Sequence, residues 1–398
     1  MKGDGMAVGD PAESKNFRLL GHDPSAAWGG GSLVEVKRGF AYVGAVGTSG
    51  YDGPEGFTIH DVSDPRRPRL VREVKAPPGI HMHKVRAVGE DLLYVNAERL
   101  KTEEGKKARA GIHIYDIRRP AEIKEAGFYP MPGGGPHRFG VDNEKHLAFF
   151  PNAAEGWRNR VIWTVDIRDP LKPEVISIWG PPGMDLKLNL PYQAPDHPDR
   201  VWQAHGPPVI RGGRMFCGFW GGGMVIADVT DLARPKFVSQ LTWAPPFAGS
   251  THTVWPIGDK PYVVVTDEGR DSQNFPDSQF MWVMDIREET KPIPVATFMP
   301  DRERFLNRGQ RYGAHNILED IPARGPWANL VFLTYFNAGL RAVDVSDPFR
   351  PREAGHFVPA CDFGKAVAQS NDVGKDEHGR LYLIDRNGAG MHILEYTG

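Results

Sequence analysis

Cysteine is scarce in this chain. Cys217 and Cys361 are the only two among 398 residues, which excludes a disulfide-built scaffold and any CxxC motif, though one bridge between them stays open. No run reaches the roughly 18 apolar residues that a membrane-spanning helix needs. No basic block appears either. The 48 Lys and Arg are interspersed with 50 Asp and Glu for a net charge of −2, which argues against a nucleic-acid or anionic-membrane surface. The first residues, MKGDGMAVGDPAESKN, lack the apolar stretch of a secretory signal, so a cytoplasmic location is the expectation, and a trimmed exported chain would read the same. There is no GxSxG elbow, no P-loop and no GxGxxG set between a strand and a helix, so the common nucleophile and nucleotide motifs are missing. A sustained 3.6-residue apolar period is absent as well, which predicts few helices.

What the chain has instead is a phrase that returns. GFTIHDVSDP (56–65) comes back as GIHIYDIRRP (111–120), VIWTVDIRDP (161–170), GMVIADVTDL (223–232), FMWVMDIREE (280–289) and GLRAVDVSDP (339–348), with a degenerate last copy, GMHILEYTG (390–398). The shared acid falls at Asp61, Asp116, Asp166, Asp228, Asp285, Asp344 and finally Glu395, every 50 to 62 residues. Each copy is a β-branched alternating run stopped by an Asp-Pro-type corner, hence a strand and a turn. Repeats of this length mark blades, and seven copies predict an all-β, seven-bladed β-propeller with four-stranded blades. The abundant Gly (46) and Pro (35) suit many short strands joined by turns. Residues 1–15 read as a polar, disordered tail, and 16–398 as a single propeller domain. The segment 16–23 resembles the outermost strands 69–76, 236–242 and 352–358, whereas the last repeat has none of its own. The expectation is that 16–23 completes the final blade and closes the ring.

The [IV]-x-[IV]-x-D-[VI]-x-D-P phrase resembles that of LVIVD-repeat β-propeller proteins along nearly the whole chain. The resemblance implies the fold and leaves function open. A fainter likeness is to the selenium-binding protein/methanethiol oxidase propellers, which hold copper; no cysteine motif here carries that activity over.

Aligning the first strand of each blade exposes one column: Ser32, His83, His137, His205, His252, His315 and Asn371. With 14 histidines in 398 residues, chance would put well under one in seven aligned positions. First strands line a propeller's channel, so the five form a ring about the axis. Neutral imidazoles suit Fe, Cu, Zn or Ni, whereas Ca²⁺ and Mg²⁺ want oxygens that the column lacks. A single such histidine is more often a polar lining residue; five in consecutive blades favour a metal. His81, two residues before His83, is a candidate outer ligand or general base. Glu98, Glu268 and Asp372 are candidates to orient the histidines or to act as general acid or base. Trp157, Trp220, Asn152, Asn337 and Arg386 lie on turns that open on the same face and are candidate substrate contacts. His60, His113 and His392, on third strands, read as structural.

The expectation is a metal-dependent enzyme acting on a small organic substrate. A nitrogen-rich ligand set leans it toward an oxidoreductase or oxygenase on Fe or Cu, in architectural analogy with carotenoid-cleaving oxygenases. A Zn or Mn hydrolase or lyase is the alternative, and a non-catalytic ligand- or protein-binding propeller is the third reading.

Overall fold

The repeated acid ends its strand by folding the chain over itself. Asp61, Asp116, Asp166, Asp228, Asp285 and Asp344 each accept the backbone N–H two residues ahead at 2.8–3.1 Å, an Asx turn. Where the phrase runs on to a second acid, as at Asp64, Asp169, Asp231 and Asp347, that residue makes a second Asx turn of the same kind. Two turns in tandem reverse the chain in a few residues and launch the outermost strand, which explains why the phrase recurs.

The computed structural model describes residues 11–47, 53–190, 201–244, 246–247, 249–269, 279–320, 322–360 and 367–398. These form seven antiparallel sheets arranged as a seven-bladed β-propeller. Blade one is typical, with Gly31–Lys37, Phe40–Ala45, Gly56–Asp61 and Arg69–Lys75 in spatial order. Helix is confined, among the described residues, to Glu103–Lys107, Arg302–Leu306 and short 3-10 turns. None of these is long and apolar enough to cross a membrane. Cys217 is buried and free, and Cys361 lies outside the described residues.

The last sheet consists of Ser370–Lys375, Leu381–Asp385, Met391–Tyr396 and, outermost, Phe17–Asp23. Its Asp23 accepts from His60 Nδ1 of blade one at 2.7 Å, and His60 Nε2 lies 2.8 Å from the Thr58 hydroxyl. All three side chains are buried, so the join between the first and last blades is pinned by a satisfied polar chain. Part of the segment expected to be a disordered tail is ordered. Pro11–Lys15 is a strand paired with Arg352–Pro359 on the outer edge of blade six, because that edge offers unpaired backbone groups that an extended polar segment can satisfy.

The innermost strands depart from the sequence reading in an informative way. Unbroken strands were expected from His83, His137, His205 and His315; the ladders there are interrupted. In blade two, Ile80–His81 pairs with Arg99 and Glu98, and pairing resumes only at Val85 with Val95, one residue longer on the inner side. In blade five the register slips across His252, and in blade seven across Asn371. Blade one slips between Gly31 and Val34, around Ser32. Blade four breaks between Ala204 and Val209, and the inner segment of blade six is bridged to its sheet at Ile317 with further backbone hydrogen bonds at His315, Asn316 and Leu318. Around Ser32, His83, His252 and Asn371 the column therefore sits on β-bulges, which re-aim side chains out of the strict alternation. Side chains take over the lost ladder bonds: Asn96 Oδ1 accepts the N–H groups of both His83 and Lys84, and Thr334 Oγ1 accepts that of Asn316.

Neighbouring blades press glycines against these bulges. A Cβ on Gly44 would sit 2.2 Å from His83 O, and one on Gly206 2.0 Å from His252 O. Gly44→Ala is expected to destabilise the protein by about 1–3 kcal/mol through overpacking, measured by urea unfolding, because backbone rather than a flexible side chain must yield.

Candidate metal centre

The interrupted ladders turn six imidazoles into one contiguous arc. Ring centroids step from His81 to His83 at 4.2 Å, to His137 at 4.5 Å, to His205 at 5.3 Å, to His252 at 4.5 Å and to His315 at 4.6 Å. All six line a cavity of about 930 Å³ on the propeller axis, together with Glu98, Glu268 and Trp220. Two groups bring potential ligand atoms within 4.8 Å of one another: His81, His83 and Glu98, and His205, His252 and Glu268.

Hydrogen bonds set the tautomers. His137 Nδ1 donates to Glu98 Oε2 at 2.7 Å, His81 Nδ1 to Glu55 Oε2 at 2.6 Å, and His315 Nδ1 to the Asn371 carbonyl at 2.8 Å. Each of these rings keeps Nε2 as its basic nitrogen, the pattern seen where a carboxylate or carbonyl orients a metal-binding histidine. His83 Nε2 and His205 Nδ1 are buried without a hydrogen-bond partner. The 3.2 Å approach of Asn96 Nδ2 to His83 Nδ1 does not settle that ring's tautomer, since the same amide faces the Pro136 and His137 carbonyls at 3.2 and 3.4 Å.

Burial disfavours the charged form at His83, His137, His205, His252 and His315. It pushes His83, His205 and His252 far below the ordinary histidine range, and neighbouring imidazoles and Arg138 add to the effect. His315 falls to about 3 for the same first reason, and at His137 burial outweighs the pull of Glu98. Neutral rings with orphaned buried nitrogens fit a transition metal, which needs unprotonated imidazole.

A feature that the sequence reading missed lies just below. Arg138, beside His137 in the chain, is buried on the axis. It donates to His252 Nε2 at 3.0 Å, to Asn316 Oδ1 and to Glu319, and Glu319 also binds Lys84 Nζ at 2.8 Å. Lys84, Glu319, Arg86 and Asp372 line a second axial cavity of about 980 Å³ on the far side. With His252 Nδ1 donating to Thr253 Oγ1 at 2.8 Å, both nitrogens of His252 are engaged.

A family model for the LVIVD repeat matches residues 29–76 and 329–358, which are blade one and part of blade six. The chain carries LVIVD repeats on a seven-bladed β-propeller. Comparison with curated proteins gives no match. Among solved structures, the LVIVD propeller is similar to the periplasmic gluconolactonase PpgL of Pseudomonas aeruginosa, at 13% identity and a TM-score of 0.56 over 88% of this chain and 95% of that one. It is equally similar to a candidate 6-phosphogluconolactonase from Bacteroides fragilis, at 11% identity and TM-score 0.55 over 86% of each chain. The WD40 repeats of RRP9 align at 10% identity and TM-score 0.59 over 96% and 99%. Enzymes and WD40 repeats match alike, so these likenesses establish the fold alone.

The other candidate residues divide sharply in this LVIVD propeller. Glu98, Glu268, His81, Trp220 and Arg386 line the histidine cavity, and the Trp220 ring lies 4.8 Å from that of His205. Asp372 does not. It faces the second cavity, where it accepts the Val34 N–H at 2.9 Å and burial raises it to about 6. Asn152 is fully buried, donating to the Pro132 and Ala153 carbonyls, and Asn337 ties down the 300–314 segment through Phe305 O and Gly309 O. Trp157 packs among the apolar residues between blades three and four and bridges to Asp185. The side chains of these three turn inward to bond or pack against neighbouring segments, which turn position alone does not reveal. Glu98 is also poorly suited to general-base work. Burial would raise it, but His137 and Arg160 outweigh burial and hold it at about 2. Its Oε2 is taken up by the hydrogen bond from His137 Nδ1.

Proposed function

We propose that this LVIVD propeller is a metal-dependent enzyme whose transition metal is held on the propeller axis by histidines of the 81–83–137–205–252–315 arc. The observation that carries the reading is the shared tautomer of His81, His137 and His315: each spends Nδ1 on an oxygen acceptor and leaves Nε2 basic at one cavity. His81 and His83 with Glu98 alongside are the best-disposed set, and His205 with Glu268 the second. Such a metal would supply redox or Lewis-acid chemistry to a small organic substrate in the cavity. A nitrogen-dominated donor set, with its nearby carboxylates already committed, supports an oxidoreductase or oxygenase using Fe or Cu. Zn- or Mn-dependent hydrolysis is supported less, because a base as weak as Glu98 removes few protons near neutral pH.

Elemental analysis of protein purified without chelator tests the proposal. Stoichiometric iron or copper, removable by chelation and restored on reconstitution, is the expected result. Zinc or manganese would move the reading to hydrolase or lyase. Protein that stays metal-free after reconstitution with all four would leave a ligand-binding propeller instead.

A further inference from the structure

Two donor groups of the same make-up face the histidine cavity. His81, His83 and Glu98 form one, and His205, His252 and Glu268 the other, each with its ligand atoms within 4.8 Å of one another. By composition either could hold an ion, and two metals in one cavity are a common catalytic arrangement. An arginine is built into the second group, and it makes the two unequal.

His252 is prepared as a ligand would be. Arg138 donates from Nη1 to its Nε2 at 3.0 Å, so Nε2 is an acceptor and the neutral ring carries its proton on Nδ1, which donates to Thr253 Oγ1 at 2.8 Å. That is the tautomer of His81, His137 and His315, with Nε2 basic. The difference is what the lone pair meets. An imidazole nitrogen has a single lone pair, and a metal on it would stand about 2.0–2.1 Å away, in the path to Nη1. Metal and guanidinium therefore exclude each other at His252, by contact and by charge. Arg138 is fixed in that place. It is 2% exposed, and it also donates to Asn316 Oδ1 and to Glu319. Asn316 is held the right way round by its Nδ2, which donates to the Asn371 carbonyl at 2.7 Å, and Glu319 is bound a second time by Lys84. A lysine here could shed its proton, whereas a guanidinium keeps its own and the position stays cationic.

We infer that Arg138 stands in for a second metal ion: it occupies the coordination position of His252, so that the metal of the proposed function is bound without this ring. The group of His205, His252 and Glu268 is then a latent metal site, which opens only when the guanidinium is removed. The first half of the inference rests on the proposed function, and the second on Arg138 alone. After burial, the same guanidinium is among the charges that lower His83, His205 and His315, so its influence covers the arc rather than one ring.

The test reads metal content by elemental analysis after full-length protein has been reconstituted with Cu²⁺, and separately with Zn²⁺, and desalted. Arg138→Leu/Glu319→Leu, which removes charge and counter-charge together, should take up one metal ion per chain more than the natural protein. Adding His252→Gln to it should abolish that gain. In the natural protein, His252→Gln, whose amide oxygen can still accept from Arg138, should leave metal content unchanged, whereas His83→Leu should abolish it. Melting curves show whether each variant is folded, with Arg138→Gln as the substitute if the double variant is not. A folded variant lacking Arg138 that holds no more metal than the natural protein would overturn the inference. So would a natural protein whose metal falls with His252→Gln. A natural protein that takes no metal, beside a variant lacking Arg138 that takes one through His252, would sink the metal reading and leave this one standing.

Discussion

Replacing His83 with leucine is expected to abolish metal binding and, at the same time, to raise the melting temperature of the metal-free protein. The two effects come from the same atom. His83 is 3% exposed, and its Nε2 is buried with no hydrogen-bond partner. A buried polar group left unsatisfied costs about 1–3 kcal/mol, and leucine, of similar bulk, removes that cost. What leucine cannot do is donate a lone pair. Metal occupancy should therefore fall by more than the ~10–100-fold typical of losing an orienting partner. Glu98→Gln, which weakens the bond that fixes His137, should fall inside that range and so gives a graded comparison. The checks are metal content by elemental analysis and melting curves with and without chelator. If the histidines were merely a polar channel lining, His83→Leu would change stability and leave metal content where it was. A stabilising substitution that removes a function is the usual mark of a group kept for its chemistry.

How much of this could be read from the sequence depends on which physical signal each feature leaves. The blades were legible because an Asx turn needs an acid at a fixed place, so Asp61, Asp116, Asp166, Asp228, Asp285 and Asp344 recur with the fold. The arc was legible because histidine is rare and the column is aligned. Its neighbours were not. Strand alternation sends the residue after each column histidine to the opposite face, away from the site. The interrupted ladders defeat that rule, so Lys84, Arg138 and Asn316 run down the axis beneath His83, His137 and His315. Read as pairs, His83-Lys84, His137-Arg138, His205-Gly206, His252-Thr253, His315-Asn316 and Asn371-Asp372 would have shown two tiers, an imidazole tier above a charged and polar one. The misplacement of Asp372 has the same origin: it belongs to the lower tier, beside Lys84 and Glu319. Asn152, Asn337 and Trp157 do not line the histidine cavity for a different reason. A turn position says which face a residue is near but not whether its side chain turns inward to a neighbouring segment, as those of Asn152 and Asn337 do.

The lower tier should dominate stability, and Glu319→Gln is the substitution that exposes it. Among the described residues, Glu319 is the one carboxylate bonded to both Arg138 and Lys84, and Arg86 approaches it to 4.0 Å. Removing one partner of a buried ion pair costs about 3–5 kcal/mol, because the partner stays behind uncompensated. Lys84, already pushed down to about 8 mainly by burial, can respond by losing its proton. Arg138, 2% exposed, cannot, so the loss should lie in the upper part of that range. The pH dependence has a definite sign. Burial acts to raise the Glu319 carboxyl, but Lys84, Arg138 and Arg86 outweigh it and hold the group at about 2, below its ordinary 4.5. A carboxyl depressed by folding stabilises the protein above its unfolded value and loses that contribution as the pH falls through the folded one. The gap between the natural protein and Glu319→Gln should accordingly be full above about pH 4.5 and shrink toward pH 2, when both are followed by urea unfolding. The double substitution Arg138→Leu/Glu319→Leu should recover much of the loss, since it removes charge and counter-charge together. A Glu319→Gln variant as stable as the parent at pH 7 would mean that solvent, rather than this carboxylate, carries the charge of Arg138.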